Sequence, residues 1–206
     1  MSTSGHASPT GPVGASGAEK DRQLLTRIIA GDQQAFSTLM GCHQPTCARI
    51  LTRMVSQQDV VADLLQETFL SVYRQLHRFR FESSLRTWIS RVAYTTALQY
   101  LRRRRLEQQW MVALEAPQDV HAVEDEPGPP ELSQALQTGR QLTAALGGLS
   151  EPQRLMIGLH YVEDFDIGEI AQVTGVPRGT VKSHLHRARK VLKHALTRHA
   201  TVGELL

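Results

Sequence analysis

A chain of 206 residues with 41% hydrophobic side chains can bury one ordinary core or two small ones, and is too apolar for a disordered chain. A net charge of +3 does not by itself demand a polyanionic partner, and aromatics at 5% with abundant Leu, Ala, Arg and Gln favour helices over sheets. No apolar run reaches the roughly 18 residues of a bilayer span, and the N-terminus lacks the basic start and apolar centre of a secretory signal, so the chain reads as cytoplasmic.

Residues 1–19 are mostly Ser, Gly, Pro, Thr and Ala and read as a disordered tail. From 20 to 106 the pattern is helical. Leu24, Leu25, Ile28 and Ile29 form one stripe, which Gly31 ends. Asp32 is placed to cap a second helix carrying Phe36, Leu39 and Met40. Within it, GCHQPTC sets Cys42 and Cys47 around His43; one Cys pair without a second ligand pair is a poor zinc site, so both are read as buried thiols and no metal is expected. Asp59 opens a third helix with Leu64, Leu65, Phe69, Val72, Tyr73 and Leu76 in its apolar band. A polar break from Arg78, RFRFESS, precedes a long helix over 85–105, where Trp88, Val92, Leu98 and Leu101 share a side and Trp88 reads as core.

Charge is distributed in blocks. Arg86 to Arg105 holds six Arg and no acid, and Arg178 to Arg198 holds seven Lys or Arg and no acid. Between them, Glu107 to Gly139 holds seven acids and no Lys or Arg, and Pro129 and Pro130 interrupt any helix. Residues 107–137 therefore read as a flexible acidic linker, with a helix expected to restart near Glu131 and run to Leu146. A second helical domain follows over 138–200, with elements near 151–162, 167–174 and 178–198. The fold class is all-α, two small helical domains joined by that linker, and the two basic blocks suggest two anion-binding surfaces.

The second domain carries the sharpest local signal. Asp166 and Glu169 have capping-box spacing, Gly175 can take a positive φ at a helix end, and Pro177 can start the next helix. Two helices joined by such a short Gly-containing turn form a helix-turn-helix. In the second of them Val181, Leu185, Ala188, Leu192 and Ala195 make the buried stripe. Lys182, Ser183, His186, Arg187 and Lys190 fall off that stripe, a face suited to base edges and phosphates in a major groove, with Arg178 and Thr180 near its start.

These stretches also carry a family resemblance. DLLQETFLSVYRQLHRFRFESSLRTWISRVAYTTALQYLRRRR, Asp63 to Arg105, closely resembles the second domain of extracytoplasmic-function (ECF, group 4) sigma factors of the sigma-70 family. LGGLSEPQRLMIGLHYVEDFDIGEIAQVTGVPRGTVKSHLHRARKVL, Leu146 to Leu192, resembles their fourth domain, in the same order. The resemblance implies a transcription initiation factor that binds bacterial core RNA polymerase and reads promoter DNA at the −10 and −35 elements. It implies a cognate anti-sigma factor as a further partner. It implies no catalysis, cofactor, small-molecule substrate or membrane span.

Residue by residue, the resemblance implies that Asp63, Gln66 and Glu67 face the polymerase clamp helices. Arg80, Phe81, Glu82, Ser83 and Ser84 sit where the family captures a flipped base of the −10 element. Extruding a base costs a few kcal/mol that stacking and hydrogen bonds must return, and Phe81 is a candidate stacking ring. Ser83 or Ser84 also reads as an N-cap. Arg91, Thr95, Arg102 and Arg103 would lie along the promoter, the arginines on phosphates. The −35 element would meet Arg178, Thr180, Lys182, Ser183, His186, Arg187 and Lys190.

Four departures from the family pattern stand out: Thr95 replaces a common Asn, Gln99 a common Asp, Phe81 a common Gly in the capture loop, and His184 a frequent Arg in the recognition helix. Two rival readings are a two-domain regulator of the response-regulator type and a sigma-like decoy that binds polymerase or an anti-sigma factor without initiating. The first requires an α/β receiver, and the first half of the chain has no strand pattern.

Overall fold

The computed structural model describes residues 15–55, 57–112 and 145–203. Most of the expected tail, the greater part of the acidic linker and most of the helix restart lie outside these residues. The described residues include seven helices, a 3-10 turn and a last helical turn over 145–147, with no strand among them. In the first domain these are α1 (Ala15–Ile29), α2 (Gln33–Met54), α3 (Gln58–Gln75), the 3-10 turn Leu76–Arg78, and α4 (Leu85–Val112). In the second domain they are α5 (Glu151–Tyr161), α6 (Ile167–Thr174) and α7 (Arg178–Gly203).

Local chemistry sets the helix ends. Gly31 takes φ +93 after α1, and the Asp32 carboxylate then accepts the Ala35 amide at 3.0 Å as the N-cap of α2. Ser84 caps α4, its hydroxyl accepting the Thr87 amide at 3.0 Å. α2 runs unbroken through Pro45, which cannot donate to the carbonyl four residues earlier. Only Cys47 of the two thiols is buried. Cys42 is exposed, contrary to the sequence expectation, because five residues of helix rotate the two onto different faces. Burial, with the Glu163 charge second, pushes the Cys47 thiol up to about 12. α4 also extends past the expected end at Arg105 to Val112, since no Gly or Pro interrupts the chain before Pro117.

In the first domain α2, α3 and α4 pack on one another, with α1 against α2. Leu39, Ile50, Val72, Leu85 and Ile89 are fully enclosed there. In the second domain α7 packs on α5 and α6, burying Leu159, Ile170, Val181 and Leu185. The apolar core does not stop at the domain boundary. α6 lies against α4 and α5 against α2, and one continuous buried cluster runs from Leu25 to Ala188.

Candidate nucleic-acid interface

The second-domain surface is built from its turn. The Asp166 carboxylate accepts the Glu169 amide at 2.8 Å, and the Glu169 carboxylate accepts the Asp166 amide at 3.0 Å, closing the capping box. Gly175 ends α6 at φ +71, and the Pro177 carbonyl accepts the amides of Thr180 and Val181, which starts α7. Val181, Leu185 and Ala188 are buried. Their burial turns Lys182, Ser183, His186, Arg187 and Lys190 to solvent on one side of the helix. Arg178 is exposed at the start of α7, near Gly168 of α6. Thr180 and His184 diverge from this group. Both line a groove of about 360 Å³ against Met54, Tyr94, Leu98 and Arg102 of the first domain. His184 is half-buried there, and its Nδ1 has no hydrogen-bond partner among the described residues. The position expected to alter −35 contacts thus points toward α4.

The first-domain surface centres on a hollow of about 350 Å³ beside the 79–84 loop. Arg78, Arg80, Glu82, Ser83, Trp88 and Arg91 line it. Phe81 and Ser84 are not part of that lining. The Phe81 ring packs 4.7 Å from Phe79 with the Arg22 guanidinium 5.2 Å over it, so its neighbours are its own domain's side chains. Ser84 is engaged as the α4 cap and contacts the Thr87 hydroxyl at 2.7 Å. Phe81 also holds φ +57, the left-handed region that favours glycine. The loop thus holds a glycine-type backbone conformation with a large side chain.

Trp88, expected as core, is only half-buried. Together with Arg91 it lines this hollow and a second one of about 270 Å³ that holds Thr95 and Gln99. Two of the departures therefore share one hollow, and the Thr95 hydroxyl donates to the Arg91 carbonyl at 2.8 Å. Arg102 and Arg103 are exposed on α4. Arg103 lies 3.6 Å from Glu67, an exposed ion pair that links two residues expected to meet different partners.

On α3, Asp63 and Gln66 are exposed. Gln66 borders an apolar groove of about 520 Å³ lined by Phe36, Met40, Phe69, Leu70 and Tyr73. Tyr73, expected within the apolar band, is 54% exposed and Leu70 is 56% exposed. Periodicity alone assigned Tyr73 to the core, whereas it faces solvent beside Leu70 as an i, i+3 apolar pair. Sequence reading also missed Thr87 and Gln172 at the loop hollow; Gln172 reaches it from the other domain, for which no local pattern exists.

The chain matches the family model "Sigma-70 region 2" over residues 39–107 and "Sigma-70, region 4" over 139–192. The ECF RNA polymerase sigma-E factor of Haemophilus influenzae is 34% identical over 186 residues, spanning 85% of this chain and 95% of that protein. The sigma-E factor of Escherichia coli is 32% identical over 176 residues, spanning 84% and 92%. Two solved structures share the fold. The sigma factor RpoE of Bartonella quintana, in complex with the anti-sigma factor NepR, aligns with TM-score 0.57 at 23% identity, covering 79% of this chain and 96% of that one. CnrH, in complex with the cytosolic domain of CnrY, aligns with TM-score 0.59 at 22% identity, covering 86% and 97%.

Proposed function

From the premise that this chain belongs to the ECF sigma factors of the sigma-70 family, we propose that it directs core RNA polymerase to promoters carrying −10 and −35 elements and assists their melting. The observation that carries the reading is the exposed cationic face of α7, set by a capped and Gly-ended turn, in the same chain as an arginine-bearing α4 and its hollow. Its role is non-catalytic, the chemistry belonging to the polymerase.

In this reading α7 lies in the major groove at −35. Lys182, His186 and Arg187 read base edges, while Arg178, Ser183 and Lys190 hold phosphates. A base extruded from the −10 element enters the hollow beside Arg80, Glu82 and Ser83, with Trp88 as its apolar wall in place of Phe81. Arg91, Arg102 and Arg103 neutralise phosphates along α4, which makes binding salt-sensitive. Asp63 and Gln66, with the neighbouring Leu70 and Tyr73 groove, dock on the polymerase, and Glu67 joins them by exchanging Arg103 for a polymerase cation. An anti-sigma factor is a further partner. That a fold neighbour was solved with an anti-sigma factor supports its inclusion.

Run-off transcription with core polymerase and a promoter library tests the reading. A promoter-dependent transcript that disappears without this chain is the expected result. Polymerase binding with no transcript from any template would instead establish the decoy.

A further inference from the structure

Glu163 belongs to the second domain, in the loop after α5, yet its carboxylate is 2% exposed and all its partners come from the first domain. Thr46 of α2 donates to Oε2 at 2.8 Å, and Arg49 donates to both carboxylate oxygens, its Nη2 at 2.8 Å from Oε2. Arg53 of α2 stands 4.0 Å and Arg86 of α4 3.8 Å from the carboxylate, and Arg86 also donates to the Glu163 carbonyl. Next along the chain, Asp164 takes φ +51, a left-handed turn that Asp tolerates, and Phe165 is buried with the Arg86 guanidinium 4.2 Å over its ring. Three arginines around one carboxylate make a positive socket for a single anion. Arg53 Nη1 has no hydrogen bond among the described residues, and a Cβ at Gly158 would collide with that guanidinium.

A second contact lies nearer the DNA-facing loop. The Thr87 hydroxyl donates to the Glu169 carboxylate at 3.1 Å, using the oxygen left over from the capping box. This seats α6 on α4, with Gln172 at the rim of the loop hollow, and puts Thr180 of α7 in the same groove as Arg102. The packed arrangement therefore closes one side of the loop hollow and leaves the α7 cations exposed. It is also too short for a promoter. The −10 and −35 elements are about 25 base pairs apart, or about 85 Å of B-DNA at 3.4 Å per pair. A compact chain of this length has a radius of gyration of about 17 Å. With the domains packed together, the two surfaces cannot occupy both elements.

We propose that Glu163 is the key of an autoinhibitory latch between the two domains: seated among Thr46, Arg49, Arg53 and Arg86, it holds the free chain closed, and its withdrawal precedes promoter engagement. Removing one member of a buried ion cluster leaves the rest uncompensated, so the latch is sensitive to a single charge. The closed state stands on the geometry alone, whereas its inhibitory consequence rests on the promoter-directing reading.

The experiment uses the full chain. Cys42 is exposed and Cys47 buried, so one fluorophore goes on native Cys42 and its partner on Val191→Cys, an exposed position of α7, for single-molecule energy transfer. DNA binding is followed by anisotropy on a random-sequence 40-base-pair duplex, and far-UV dichroism checks that helicity is kept. High transfer is expected for the parent, and low transfer for Glu163→Arg. If the open form is a minor state of about 1–10%, apparent affinity should rise about 10- to 100-fold on opening. Glu19→Arg makes the same charge change on an exposed part of α1, and should leave transfer high and affinity within about threefold of the parent, as a screened surface charge does. Low transfer in the parent, or unchanged transfer in a helical Glu163→Arg, overturns the latch. Opening with no gain in DNA affinity beyond that of Glu19→Arg overturns its inhibitory role. Should Glu163→Arg lose helicity, Glu163→Gln, which keeps the shape, decides by the same two readouts. Run-off transcription stays a separate test, so failure of the latch and failure of the promoter reading are told apart.

Discussion

The two proposed reading surfaces are assembled in opposite ways. The α7 face is local. Its direction follows from the Asp166–Glu169 box, from Gly175 at φ +71, and from the buried stripe of Val181, Leu185 and Ala188. The loop surface of the first domain is non-local. Its hollow draws walls from the 79–84 loop, from α4 and from Gln172 of the other domain, and its loop holds Phe81 in a left-handed conformation. A helix that reads duplex DNA in a groove needs only its own cap and stripe. A pocket for an extruded base needs three segments brought together, so its shape depends on how the domains sit.

The largest expected effects fall on the local surface and should stay there. Arg187→Ala and Lys182→Ala each remove a proposed base contact worth about 1–3 kcal/mol, so each should reduce transcription from a −35-dependent promoter about 10- to 100-fold. Binding to a forked −10 template without a −35 element should be unchanged. An equal loss on both templates would break the separation between the surfaces. Trp88→Ala should give the mirror result, weakening the forked template and sparing the −35 duplex.

Smaller effects test how α7 is held. Gly175→Ala forces a Cβ into the left-handed region at a cost of about 1–2 kcal/mol. Asp166→Ala removes a cap worth about 1 kcal/mol. Both should lower the thermal midpoint of the chain, with Gly175→Ala the lower of the two. Neither side chain is on the α7 face, so −35 specificity should survive wherever the domain is folded.

The same division explains what could be read from the sequence. The helix-turn-helix was legible because its determinants lie within about 20 residues and each leaves a residue-type signature: an acid pair three apart, a Gly, a Pro, an apolar stripe. The α4 arginines were legible as a block of like charge. Tyr73 and Trp88 were misplaced because an apolar residue on a helical stripe looks the same whether it meets the core, a pocket or solvent. Glu163 left no trace at all. It sits among Asp164 and Asp166 in what reads as a solvated acidic loop, while its partners Thr46 and Arg49 lie 117 and 114 residues away. Nothing in local composition marks a carboxylate that will be buried by another domain.

Acid should alter the two surfaces unequally. Burial, with the Arg86 charge second, holds the His43 imidazolium below its ordinary 6.5. Burial alone would raise the Glu163 carboxyl, but hydrogen bonds from Arg49 and Thr46 and the charges of Arg49 and Arg53 outweigh it and hold the group below its ordinary 4.5. Both folded values are depressed, so each contribution is complete above the group's unfolded value and is lost as pH falls through the folded one. Folding stability should therefore weaken first below about 6.5 through His43, and closure should weaken below about 4.5 through Glu163, whose partners lie across the domain boundary. The thermal midpoint followed from pH 8 to pH 4 checks the upper step, and energy transfer between the domains checks the lower. His43→Gln should remove the upper step and leave the lower. Opening should free the Gln172 side of the loop hollow while the exposed α7 cations keep their arrangement.

The smallest effect is expected at Phe81, where two terms oppose each other. A non-glycine residue in the left-handed region costs about 1–2 kcal/mol, which glycine would relieve. Against that stand the half-buried ring, with its Phe79 and Arg22 contacts worth about 1 kcal/mol, and the added chain entropy of glycine at about 0.5–1 kcal/mol. Phe81→Gly should therefore change stability by less than about 1 kcal/mol. Phe81→Ala keeps the strain and loses the ring, so it should be the less stable of the two by about 1 kcal/mol, an order that urea denaturation can establish. If Ala proves as stable as Gly, the strain at φ +57 is not felt by the chain and the loop is not held in that conformation in solution. If the order holds, the capture loop keeps a glycine's backbone by means of aromatic packing, a device the α7 surface does not need because Gly175 occupies its own left-handed position.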